Sequence, residues 1–156
     1  MKTSLYLKEA YKIIEEKLST GFFSRASTIE KVQYVEKNLQ LYLPTSYKNF
    51  LINYGSGGVL GIEIYGITRD LDGKSVPNMI WVTQNARDKY DLPKQYIVIG
   101  ASGFGPWYII DTSVKNIEGE NPVLMYGGGY VTEKIADSFG EFLYNELKTA
   151  MKNEEN

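Results

Sequence analysis

Asp70 and Asp72 form an Asp-x-Asp pair that, with Glu63 or Asp111, offers oxygen ligands of the kind that hold a hard cation. The stretch from Asp70 to Val76 lacks the further acidic and amide ligands of a calcium loop, so a turn stabilised by aspartate side chains is expected there. Glu63 and Asp111 are also the carboxylate types that glycosidases pair, but that chemistry needs a set separation that sequence does not carry. Gly100-Ala101-Ser102-Gly103-Phe104-Gly105 has the glycine content of a phosphate loop. A phosphate loop leads from strand into helix, whereas a strand-like Trp107-Tyr108-Ile109-Ile110-Asp111 follows here, so the segment reads as a hairpin. The chain contains no histidine and no cysteine. That excludes Ser-His-Asp and Cys-His catalytic sets, histidine or thiolate metal sites, and disulfides. The expectation is a protein that is not an enzyme, with no metal and no cofactor.

Rings are abundant instead, at 13% of residues with 13 tyrosines and 2 tryptophans. Large aromatic side chains fill cores and also dominate binding hot spots, so strand alternation decides which role each takes. With Ile80 and Val82 facing a core from a strand, Trp81 faces the other side. By the same alternation Ile109 lies opposite Tyr108 and Ile110, and one ring of the Trp107-Tyr108 pair leaves the helix-covered face. Tyr126-Gly127-Gly128-Gly129-Tyr130 reads as an aromatic-ended loop beside that face, placed either to close over a partner or simply to turn the chain. The net charge of −2 is too weak to argue for nucleic acid. It is unevenly spread: residues 1–56 carry 8 basic and 5 acidic side chains, residues 57–156 carry 9 and 14. The acidic part suits a basic partner or is ordinary solvated surface.

At 156 residues the chain is sized for one domain, taken as 1–156. Leu7, Ala10, Tyr11, Ile14 and Leu18 recur at helical spacing and predict a helix from Ser4 to Leu18. Ser27-Thr28-Ile29-Glu30 has capping-box spacing, with Ser27 as the cap of a second helix through Leu39. Pro44 opens a third, whose apolar face is Tyr47, Phe50, Leu51 and Tyr54 and which ends at Gly55. β-Branched and aromatic runs then predict strands near 59–66, 78–82, 95–100, 106–111 and 122–126, with a helical turn from Gln84 to Tyr90. Asp137 or Ser138 caps a last helix with the stripe Phe139, Phe142, Leu143, Leu147 and Ala150, followed by a polar tail from Lys152. The predicted fold class is α+β: a mixed, mainly antiparallel sheet with N-terminal helices and a C-terminal helix packed on one face. No apolar run approaches the roughly 20 residues that span a bilayer, and the cytosol is the expected compartment.

Several ordered blocks resemble one family. Leu43-Pro44-Thr45-Ser46-Tyr47-Lys48-Asn49-Phe50-Leu51 precedes Gly55-Ser56-Gly57-Gly58 and Glu63-Ile64-Tyr65-Gly66. Then come Val82-Thr83-Gln84-Asn85-Ala86-Arg87, Leu92-Pro93 before Ile97-Val98-Ile99-Gly100, Gly103-x-Gly105 with Tyr108-Ile109-Ile110-Asp111, Pro122-Val123 before Tyr126, and Ser138-Phe139-x-Glu141-Phe142-Leu143. Over about residues 28–147 this resembles the SUKH superfamily, the group of the yeast Smi and Knr cell-wall regulators and many bacterial toxin-immunity proteins. The resemblance implies a protein that binds and silences a cognate toxin, often a nuclease, by stoichiometric contact; the alternative is a regulatory or small-ligand-binding module without catalysis. It implies no direct nucleic acid or membrane contact and leaves the oligomeric state open. For the partner-binding surface, Trp81, Trp107 and Tyr130 are the expected anchors and Asp70, Asp72, Glu118 and Glu120 the charged rim. None of these is a family motif position.

Overall fold

The structure, a computed structural model, describes residues 2–25 and 27–155. Helix α1 (Thr3–Glu16) buries Leu7, Ala10, Ile13 and Ile14, and Leu18 falls outside it in a short 3-10 turn. Helix α2 (Ile29–Leu39) starts one residue later than the capping-box reading places it: the Thr28 hydroxyl, not that of Ser27, accepts from Lys31 N–H at 3.2 Å. Helix α3 (Thr45–Tyr54) follows Pro44 and buries Tyr47, Phe50, Leu51 and Tyr54 as its spacing dictates. Helix α5 (Phe139–Glu154) is capped by Ser138, which accepts from Glu141 N–H at 3.1 Å. It continues into the expected polar tail as far as Glu154, whose carboxylate lies 3.0 Å from Lys17 Nζ.

The strands form two antiparallel sheets in place of the single sheet expected. One has the order β1 (Phe22–Phe23), β2 (Gly57–Val59), β3 (Ile62–Ile64); the other runs β4 (Tyr96–Ala101), β5 (Trp107–Asp111), β6 (Val123–Gly127), β7 (Tyr130–Ala136). They meet where Tyr65 N–H donates to the Ile99 carbonyl at 2.8 Å. Leu60 and Gly61 link β2 to β3, both at positive φ (57° and 78°), the combination a two-residue type I′ turn requires. Gly58 is obligatory here, because a Cβ at this position would fall on the Ile62 carbonyl oxygen.

One expected strand is a helix. Met79–Tyr90 forms α4, capped by the Asn78 side chain, which accepts from Trp81 N–H at 3.0 Å. The short apolar run Met79–Val82 fits either period, and the side-chain cap together with packing on α2 and β4 selects the helix. Trp81 therefore does not sit on a sheet face. Conversely β7 is not among the expected strands: Tyr130, Val131, Thr132 and Ile135 are β-formers, but its first five residues are exposed at the sheet edge and show no buried face.

Helices cover both faces of the four-stranded sheet. Neighbouring residues of β5 point opposite ways: the Tyr108 ring lies 4.9 Å from that of Phe142 on α5, while the Trp107 ring lies 5.7 Å from that of Tyr90 at the end of α4. Hence Ile97, Val98 and Ile99 in β4 are all fully buried. The core is one contiguous cluster in which Phe50 touches the rings of Phe23, Tyr54 and Phe139.

Candidate functional site

α4 ends before it has covered its whole face of the sheet. Beyond Tyr90, the register of β5 and β6 sets Trp107 directly opposite Tyr126, and Tyr96 from β4 stands edge-on to Tyr126 with 5.7 Å between centroids. Cross-strand aromatic pairs of this kind hold their rings in fixed orientation. Two glycine-rich turns enclose the spot. The β4–β5 hairpin carries Gly103 and Gly105 at φ 89° and 126°, confirming the hairpin reading of that run, and Gly128 and Gly129 (φ 64° and 88°) turn β6 into β7. Tyr90, Gly105, Trp107, Tyr126 and Gly127 to Gly129 thereby line an open groove of about 280 Å³. Tyr130 flanks it at 64% exposure, and Phe104, at 73%, stands on the neighbouring hairpin.

Trp81 and Asp72 lie elsewhere, together. They share a second groove, about 210 Å³, with Tyr34, Leu71, Asn78 and Gln84 beside the start of α4. The loop before it is tightly tied: Asp70 Oδ1 accepts from Asp72 N–H at 3.1 Å, Gly73 N–H donates to the Asp70 carbonyl at 3.0 Å, and the Asn78 amide donates to the carbonyls of Asp70 and Leu71. Asp70 thus stabilises a turn through its side chain, as expected, though the turn joins β3 to α4 and not two paired strands, and the Asp72 side chain points away from it to Tyr34. The Tyr34 hydroxyl donates to Asp72 Oδ1 at 2.9 Å, and this bond raises the Tyr34 pKa. The Asp111 carboxylate accepts from the N–H and hydroxyl of Ser113 at 3.0 and 2.6 Å. Among the described residues no group of three or more acidic side chains is arranged to hold a metal ion.

The expected acidic rim is divided by burial. Glu118 is exposed but pinned, its carboxylate accepting from Thr3 N–H at 3.1 Å at the start of α1. Glu120 is not on the surface at all: it is 4% exposed, Oε1 accepts from the Ser46 hydroxyl at 2.6 Å, and Oε2 accepts from Ser46 N–H at 3.1 Å. The reason is local to α3. Pro44 provides no side-chain cap, so the free amides of that helix take a carboxylate from a distant loop. Tyr90 was missed because its helical turn was read only as a connector; a tyrosine isolated among Asp88, Lys89 and Asp91 was the available signal.

With this geometry in view, comparison with known families is direct. The chain matches the family described as SMI1-KNR4 cell-wall, SUKH_5, over residues 7–148. It belongs to the SUKH superfamily, and its α+β arrangement of five helices and two antiparallel sheets among the described residues agrees with that assignment. No helix among the described residues is long and apolar enough to cross a membrane.

Proposed function

We propose that this chain is an immunity protein: it binds a cognate toxin, a nuclease domain being the favoured class, and silences it stoichiometrically. In this reading it has no chemistry of its own, takes no metal or cofactor, makes no direct contact with nucleic acid or membrane, and works in the bacterial cytoplasm. The sequence also looks like that of the bacterial immunity protein YobK, a likeness that supports this reading.

The observation that carries the proposal is the groove at Trp107. It presents a rigid cross-strand Trp-Tyr pair beside exposed Tyr90 at the end of α4 and exposed Phe104 and Tyr130 at the two glycine turns. Anchoring rings of low conformational entropy, flanked by turns that leave their faces open, are what a tight protein interface is built around. Asp70, Asp72 and Glu118 are also exposed, outside the lining of this groove, where they can meet basic groups of the same partner. The test is co-expression with the toxin encoded beside this gene, followed by kinetics on the purified pair. Trp107→Ala in a still-folded protein is expected to cost roughly 2–4 kcal/mol of binding and to remove protection. Full protection by that variant, or protection well below one-to-one stoichiometry, would refute this reading.

A second reading, a regulatory or small-ligand-binding module, draws on a different feature. Thr20, Phe22, Ser56, Glu63, Thr68 and Arg69 are among the residues lining an open groove of about 550 Å³ across the three-stranded sheet, a volume within the range of roughly 300–1,000 Å³ that small-molecule sites occupy. Saturable binding of a small ligand there that leaves toxin binding unchanged would favour it.

A further inference from the structure

We infer that the Trp107 groove is a receptor for one basic side chain, an arginine or lysine of the partner; this rests on the immunity reading for the identity of the partner, not for the chemistry of the groove. The described lining consists only of tyrosine, tryptophan and glycine. An aliphatic pocket would select a leucine or isoleucine, whereas aromatic faces carry negative quadrupoles and attract a cation.

Ring orientation leaves such faces available. Tyr90 meets Trp107 at 74°, so that contact takes up one face of one ring and leaves the opposite face out of it; Tyr90 is 60% exposed, while Tyr126, at 5%, forms the floor of the groove. None of the lining residues is basic, so the groove supplies no cation of its own. The charged residues next to Tyr90 in sequence, Asp88, Lys89 and Asp91, include two carboxylates and one amine, all exposed. At about 280 Å³ the open space has room for a single long side chain. The same chemistry occurs elsewhere within the protein: the Arg25 guanidinium lies 5.1 Å from the centroid of the Tyr54 ring.

Trp81→Phe leaves Trp107 as the single tryptophan, so its fluorescence reports on the groove directly. The probes are two short blocked peptides, Gly-Arg-Gly and its citrulline counterpart, which keeps the shape of the side chain and removes the charge. The arginine peptide is expected to change Trp107 emission saturably and the citrulline peptide to bind roughly fivefold or more weakly, the ratio equivalent to about 1 kcal/mol of cation–π attraction. Tyr90→Ala, at a residue 60% exposed, should erase that preference while the fold persists by circular dichroism. Equal response to both peptides, or no saturable response to the arginine peptide up to its solubility limit, would overturn the inference. The two readings fail separately. Peptide parity together with lost protection in Trp107→Ala removes the cation assignment alone; arginine preference together with full protection in Trp107→Ala upholds it and removes the immunity role of the groove.

Discussion

Removing the Glu120 carboxylate should unfold this protein well before it affects binding. Glu120 accepts two hydrogen bonds from Ser46, and the same Ser46 hydroxyl accepts from Gly140 N–H at 3.1 Å, so one carboxylate joins the N-termini of α3 and α5. A hydrogen bond to a charged group contributes about 1.5–3 kcal/mol, and an anion at a partly buried helix N-terminus up to about 2 kcal/mol. These contributions share atoms and do not add in full. Glu120→Ala is therefore expected to cost about 3 kcal/mol, lowering the melting temperature by about 6–12 °C in a chain of this size. Glu120→Gln keeps one acceptor but turns an amide towards donors, and should cost about half as much. Thermal and urea unfolding followed by circular dichroism measure both. A melting temperature within about 2 °C of the parent for Glu120→Ala would refute the linking role. A Glu120→Lys variant that folds normally and merely slows association would put the residue back on the rim.

Phe50, fully buried among three rings, should cost about 3–5 kcal/mol when truncated to alanine, and a parental melting curve would show its packing to be misassigned. Gly58→Ala should disrupt the three-stranded sheet, seen as lost protection of β1–β3 amides in hydrogen exchange; unchanged protection would mean the backbone can retreat. Alkali should unfold the chain. Burial raises the pKa of Tyr47, and burial with the nearby Glu146 pushes that of Tyr108 up to about 12. Because unfolded tyrosine ionises near pH ~10, stability is fully present below that pH and falls above it by about 1.4 kcal/mol per pH unit for the fully buried Tyr47. A melting temperature unchanged through about pH 11 would contradict this. Purified protein should show no hydrolytic, nucleolytic or redox turnover, and chelator-sensitive activity lost in Asp70→Asn or Asp111→Asn would refute the binding-only reading.

Reading along the chain was reliable where the physics is local. Ser138 caps α5 because its hydroxyl reaches the amide three residues on, and the apolar faces of α3 and α5 follow from a spacing of three and four. The Gly100–Gly105 hairpin and the Asp70–Gly73 turn were legible for the same reason: glycine and aspartate act on their own backbone. The α+β class likewise follows from periodicity that changes along the chain. Tertiary structure decided the rest. Met79–Val82 satisfies helix and strand patterns equally, and β7 has strand-forming residues but no buried face to mark them, so packing against α2 and β4 and pairing with β6 settled them. Glu120 looked like surface charge because its partners lie 74 residues away, beyond any local pattern. Trp107 was visible as a candidate, but the groove was not. It exists only because strand register sets Tyr126 opposite that ring and because α4 ends at Tyr90, leaving the last stretch of the sheet face uncovered.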